Sequence, residues 1–293
     1  MKFILSRKGF DSESGGHPSP ILPNNRMVSL PIPSNDSIFY SELQLGYKQY
    51  QTYYDLMKEL VPEMRSGGKK IKINETTRCH LDPDLNKDVL KRYEGWMPMF
   101  GQIGAAETHL ENMDVKEDDI FLFFGTFRKT QSVDQKIVFD QNDPDKHIIF
   151  GYMQIGKILK CDLEVNIQKW MNYHPHCDIV RRGKTNNRIY LARKSLTWSK
   201  KLPGAGIFNY HKSLVLTKKG CPKSVWCLDP ALFKSVDISY HSEKSWKRGC
   251  FQSVGRGQEF VIEENRDVER YFKNLIERNL LLHLRKAISL NAK

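Results

Sequence analysis

Residues 114–130, "DVKEDDIFLFFGTFRKT", and residues 147–161, "HIIFGYMQIGKILKC", decide the fold. In the first, an acidic turn precedes an unbroken Ile-Phe-Leu-Phe-Phe run. Such a run, short and rich in β-formers, reads as a strand buried on both faces. The second stretch repeats the pattern but is interrupted by Gly151 and Gly156. Interior glycines in strands mark bulges or sharp bends. The expected architecture is therefore α+β, with a curved, partly closed β-barrel core around residues 113–260.

Working outward, "NRIYLARKSLTW" (187–198), "HKSLVLTKKG" (211–220), "SVWCL" (224–228) and "DISYHS" (237–242) read as further short strands. "RMVSLPIPS" is a strand ended by Pro31 and Pro33. Tyr50, Tyr53, Tyr54, Met57 and Leu60 recur at helical spacing ahead of Pro62. "GQIGAAETHLENM" (101–113) reads as a short helix entered through a glycine turn. Val268, Phe272, Leu275, Ile276, Leu280 and Leu284 form the apolar stripe of a C-terminal amphipathic helix. One domain over residues 1–293 is expected.

The composition narrows the class. No apolar run approaches the roughly 18 residues that a membrane span needs, and the apolar stretch in "MKFILSRKGF" is too short for an export signal. The six cysteines are scattered without a CxxC pair, which suits free thiols in the cytoplasm. The net charge of +12 is localised. Residues 161–258 hold 18 Lys/Arg against 6 Asp/Glu, and the remaining residues hold 28 of each. A basic region of this kind attracts polyanions, and a solvated surface would carry it too. Arg181, Arg182, Lys184 and Arg188 are the candidate phosphate contacts.

The candidate ligand-binding residues begin in "SRKGFDSESGGHPSPIL" (6–22). Ser6, Arg7, Lys8 and Asp11 crowd a glycine-rich bend that is either a structural turn or the lip of an anion-binding pocket. Arg128 and Gln258 are further candidates. The stretch follows no dinucleotide or P-loop pattern, so no cofactor is identified. For proton transfer the best side chains by type are His80, Asp82, His109, His241 and Glu259. Glu259 sits on a strand after a glycine turn. Strand alternation would send Gln258 to the opposite face. His80-Leu-Asp82-Pro-Asp84 and His174-Pro-His176-Cys177 each concentrate ligand-type side chains. Neither has a recognised metal spacing, so no metal is expected, and Asp82 or Asp84 would serve to cap a helix over "LNKDVLKRY".

Two resemblances add to this reading. The layout of residues 113–160 resembles PUA-like barrels (the ASCH and EVE branches), in which a strand after an acidic turn and a later Gly-apolar-Gly strand close a barrel. That resemblance implies a pocket for one nucleobase at the barrel mouth. Ten blocks in order, among them "SRKGFDSESGGHPSPIL", "LPIPSND", "RCHLDPDL", "FGQIGAAETHL", "FLFFGTFR", "HIIFGYMQIG", "LPGAGIF" and "GQEFV", resemble the nucleotide-modification-associated domain family, the third of that series. It implies a DNA or nucleotide substrate in base modification. Three readings follow: a base- or nucleotide-modifying transferase, which is favoured, a non-catalytic reader of modified bases, or an adaptor for a partner base-modifying enzyme.

Overall fold

The computed structural model describes residues 1–161, 166–255 and 257–291, with side chains through Leu282. The two deciding stretches are the long central strands Ile120–Val133 and Lys146–Lys160. Each is buried without a break, over residues 120–127 and 147–155. Continuous burial requires cover on both faces, which explains why neither stretch alternates polar and apolar residues.

These strands are the middle of a nine-stranded mixed sheet. Its main path runs Glu259–Ile262, Phe3–Arg7, Ile120–Val133, Lys146–Lys160, Asn187–Ala192 and Met99–Ile103. Phe3–Arg7 lies parallel to Ile120–Val133 and antiparallel to Glu259–Ile262. Three short strands, Ser19–Ile21, Lys136–Phe139 and Ala205–Ile207, pair off this path. The C-terminal helix, Arg266–Asn291, buries Val268, Phe272, Leu275 and Ile276 on the sheet, with the Phe272 ring 4.9 Å from that of Phe3. Full burial of such a phenylalanine contributes about 2–3 kcal/mol. Leu280 packs at the margin of the same core, and Leu284 lies outside the described side chains. A second apolar cluster, with Tyr40, Tyr50, Leu56 and Met57 among its members, sits beneath residues 22–64.

The expected partly closed barrel is not what forms. The end strands Glu259–Ile262 and Met99–Ile103 share no ladder, so the sheet is open and mixed. The glycines that suggested closure have other work. A side chain at Gly151 would strike Leu85 and crowd the Gly206 carbonyl of the strand paired there, and one at Gly156 would strike Ala192 and Arg193. Both are therefore sites of close strand approach, and bulges fall at Phe123/Phe124 and Ile155/Lys157. The PUA-like resemblance falls with the barrel.

Smaller differences have local causes. The helix after Pro33 begins only at Tyr53, because Gln44–Tyr47 and Tyr50–Thr52 form a hairpin and Thr52 with Asp55 makes a capping box. Pro33 lies inside the strand Ile32–Phe39. No helix forms over residues 85–92. There Arg92 folds back onto the buried Asp84 with two hydrogen bonds of 2.6 and 2.7 Å. The helix Gly104–Asn112 forms as its sequence suggests. No helix among the described residues is long and apolar enough to cross a membrane.

Candidate functional site

Two polar clusters lie on either side of the strand Met99–Ile103. The first gathers on the ends of the two strands nearest the N-terminus and the C-terminal helix. Ser6 and Glu259 are register partners in an antiparallel pair, so their side chains share a face, and Lys8, two residues on, joins them. Glu259 is buried. Its Oε1 accepts from Lys8 Nζ at 2.8 Å and from Gln102 Nε2 at 2.7 Å. Lys8 Nζ also stands 4.4 Å over the Phe100 ring. Glu259 Oε2 and Ser6 Oγ are both buried and make no hydrogen bond. Leaving such an oxygen unpaired costs about 1–3 kcal/mol, more for a charged group.

Beside this pair lies a second carboxyl. Glu107, wholly buried on the helix Gly104–Asn112, receives the Tyr190 hydroxyl at 2.8–2.9 Å, with Arg188 Nε 3.3 Å away. Burial pushes the Glu107 pKa up to about 8, against the pull of Tyr190 and Arg188 and with a smaller push from Glu259. Burial therefore favours the protonated form of Glu107. Glu259 sits in direct contact with a cation, whereas burial outweighs Arg188 at Glu107, and such contrasts suit acid–base work. His109 Nε2 lies 2.9 Å from Ser239 Oγ, and its ring packs 4.3 Å from that of Tyr240. Burial lowers the His109 pKa. Tyr240 is exposed by half and held at φ +63°, a strained setting for a bulky side chain.

The second cluster is assembled from three separate segments. A bulge in the pairing of Ile32–Phe39 with Arg78–His80 points Asp36 at His80, whose Nδ1 lies 2.7 Å from Asp36 Oδ2. Burial alone would raise the Asp36 pKa, but hydrogen bonds from His80, Arg181 and Ser34 outweigh it and hold it low. Asp82 Oδ1 accepts from the Gly101 amide at 3.0 Å. His176, on the turn Pro175–Cys177, packs on Gly101, where any side chain would meet its ring at 2.3 Å. Burial drives the His176 pKa down to about 3. Ligand-type atoms of His80, Asp82 and His176 lie within 4.8 Å of one another. The expectation of no metal rested on spacing along the chain, which does not see this convergence. Asp82 also stands in the wall of a cleft with Gly9, Ser29, Leu81 and Phe150.

Thus the fold brings together Ser6, Lys8, His109 and Glu259, and separately His80 and Asp82. The other candidates go elsewhere. Arg7 points away from Lys8 and donates to the carbonyls of Gly255 and Gly257 at 2.7 and 2.5 Å. Asp11 Oδ1 closes its own turn by accepting from the amides of Glu13 and Ser14. That bend is pinned by paired backbone bonds between Gly15 and Arg65, with Gly15 against the Phe10 ring. Arg128 pairs with Asp145 at 2.8 Å. Gln258 is exposed, in the bend that precedes the strand Glu259–Ile262. Both ring nitrogens of His241 are engaged by backbone, the carbonyl of Ser239 and the amide of Val254. Of the basic candidates, Arg181 is paired with Asp36 and Arg188 with Glu107 and Glu111, Arg182 is half-buried, and Lys184 is exposed. Gln102, Glu107 and Tyr190 escaped the sequence reading because nothing in a strand glutamine, a helix glutamate or a strand tyrosine marks it before the fold joins them.

The family model described as nucleotide modification associated domain 3 matches residues 2–263. The chain belongs to that family. No curated protein and no solved structure matches it. The nucleotide-modification domain takes in both clusters and the whole sheet, and it ends just before the C-terminal helix.

Proposed function

We propose that this chain takes part in modifying a nucleobase, with Glu259 as the group that receives a base N–H and Glu107 as a proton donor nearby. The observation that carries this reading is the buried, unpartnered Glu259 Oε2 beside the unpartnered Ser6 Oγ. A buried acceptor beside a hydroxyl that can donate or accept matches the edge of a base, where amine and ring-nitrogen groups alternate. Lys8 and Gln102 fix the carboxylate through its other oxygen, so Oε2 is already aimed. Tyr240 and His109 supply an aromatic edge on which a base, flipped from DNA or free, can stack. The basic stretch 161–258 supports a polyanionic substrate through its exposed positions such as Lys184.

The test is nucleoside mass spectrometry of DNA from cells with and without the protein, repeated with Glu259→Gln. A nucleoside of altered mass is expected with the native chain, and at least a 100-fold loss with the variant, in the usual range for a positioned base. Full product from Glu259→Gln would remove Glu259 from the chemistry. No altered nucleoside, with tight binding to already modified DNA, would make the chain a reader.

A further inference from the structure

We propose that His80, Asp82 and His176 bind a first-row divalent transition metal, with Asp36 and Asn187 as the outer residues that orient the two imidazoles. The inference stands independently of the role assigned to Glu259.

The argument begins with where the imidazole protons sit. Asn187 donates through Nδ2 to the carbonyls of Cys161 and His176 at 3.0 and 2.9 Å. Its Oδ1 must then be the atom 2.8 Å from His176 Nδ1, so that nitrogen carries the hydrogen. Asp36 already accepts from Arg181 and Ser34, and a carboxylate can only accept, so His80 Nδ1 donates to it. In a neutral imidazole the other nitrogen then bears a lone pair. Both Nε2 atoms face Asp82 Oδ2, at 3.8 Å for His80 and 3.7 Å for His176. These separations are too long for hydrogen bonds. Two lone pairs and an anionic oxygen thus surround one point without touching each other.

Ligands bound to a metal at about 2.0–2.2 Å stand roughly 3.0–3.4 Å apart in octahedral or tetrahedral geometry. Bringing Asp82 Oδ2 to that distance from each Nε2 takes a few tenths of an ångström, and the ligand atoms of all three residues already lie within 4.8 Å of one another. Asp82 is oriented for it, since Oδ1 is held by the Gly101 amide and Oδ2 is left to the imidazoles. His174 supplies a second, independent observation. Its Nε2 is buried and unpartnered, 3.3 Å from Asp82 Oδ1. Carboxylate and amide partners behind ligating histidines are the usual outer shell of a metal site. Here they come as Arg181–Asp36–His80 and Asn187–His176.

Two imidazoles and one carboxylate select zinc, iron, cobalt or manganese over magnesium and calcium, which prefer all-oxygen sites. Three protein ligands also leave positions for water or a substrate oxygen, as catalytic rather than structural sites do. Asp36, Asp82 and Arg181 together carry one negative charge, so a bound dication leaves one positive charge to attract an anionic oxygen. His80 keeps 16 % of its side chain exposed, which gives the ion an entry path.

The experiment is titration of the chelator-stripped full chain with Co²⁺ and Zn²⁺, followed by calorimetry and by the visible cobalt spectrum. One equivalent of metal is expected, with His80→Ala and Asp82→Asn weakening it at least 100-fold and Asp36→Asn by about 10–100-fold. His211→Ala, at a half-buried histidine outside the cluster, should bind as the native chain does. Circular dichroism of each variant separates lost ligation from lost folding. Should Asp82→Asn unfold, the half-buried His80→Ala decides. Native-like affinity in a folded His80→Ala, or less than about a fifth of an equivalent in the native chain, would overturn the assignment.

Discussion

The two clusters meet across a single strand, and neighbouring residues serve them. Gln102 reaches one face to bind Glu259, while the Gly101 amide, along the free edge, holds Asp82. Their packing differs. Around Glu259 the cation and the amide sit in contact, at 2.7–2.8 Å, and one carboxylate oxygen is left over. Around Asp82 the three imidazoles stand off at 3.3–3.8 Å. The first cluster answers its charge from within the protein. The second arranges its charge around a common point, which is the geometry of ligands rather than of ion pairs.

The contrast can be broken most severely at Lys8. Replacing it with methionine leaves Glu259 buried without its cation, and a loss of about 3–5 kcal/mol in urea unfolding is expected. A loss below about 1 kcal/mol would mean that Glu259 is reached by water and that the first cluster is not closed.

The next effect is set by pH. Glu107 has a pKa of about 8 in the folded chain against an ordinary 4.5, so folding favours its protonated form. Its contribution is fully present below about pH 4.5 and is lost as pH rises through about 8. The Tm difference between Glu107→Gln and the native chain should therefore grow in favour of the variant over that window and level off above it. A difference independent of pH would show that Glu107 is charged throughout.

The smallest change tests the shared strand. Gly101→Ala places a methyl 2.3 Å from the His176 ring, and a cost of about 1–3 kcal/mol is expected from the forced shift. Histidine NMR should show His80, His174 and His176 displaced with His109 unmoved. Movement of His109 as well would mean that the strand transmits the strain and that the clusters are one unit.

Much of this was written in local pattern. The runs at 120–127 and 147–155 announced buried strands, and the 3.6-residue stripe announced the C-terminal helix. What was not legible depends on long-range pairing. The interior glycines report close backbone approach, but not whether the approaching strand closes a barrel or lies across an open sheet. Likewise His80-Leu-Asp82 and His174-Pro-His176 are each poor motifs, and only the turn that packs on Gly101 makes them one cluster. Glu107 carries no sequence mark at all, because its altered pKa comes from burial that the fold imposes.

The strand Phe3–Arg7 has a consequence for how the chain is made. It precedes both of its sheet neighbours in the chain, pairing with residues 120–124 on one side and 259–262 on the other. Lys8 and Glu259 are 251 residues apart. During synthesis this apolar strand must therefore wait for residues 120–124 to cover one edge and for residues 259–262 to cover the other. Vectorial, segment-by-segment folding cannot complete this sheet. The pairing of Phe3–Arg7 with Glu259–Ile262 must instead close late and over a long loop, a slow step that exposes the nascent chain to misassociation and to the chaperones that guard against it.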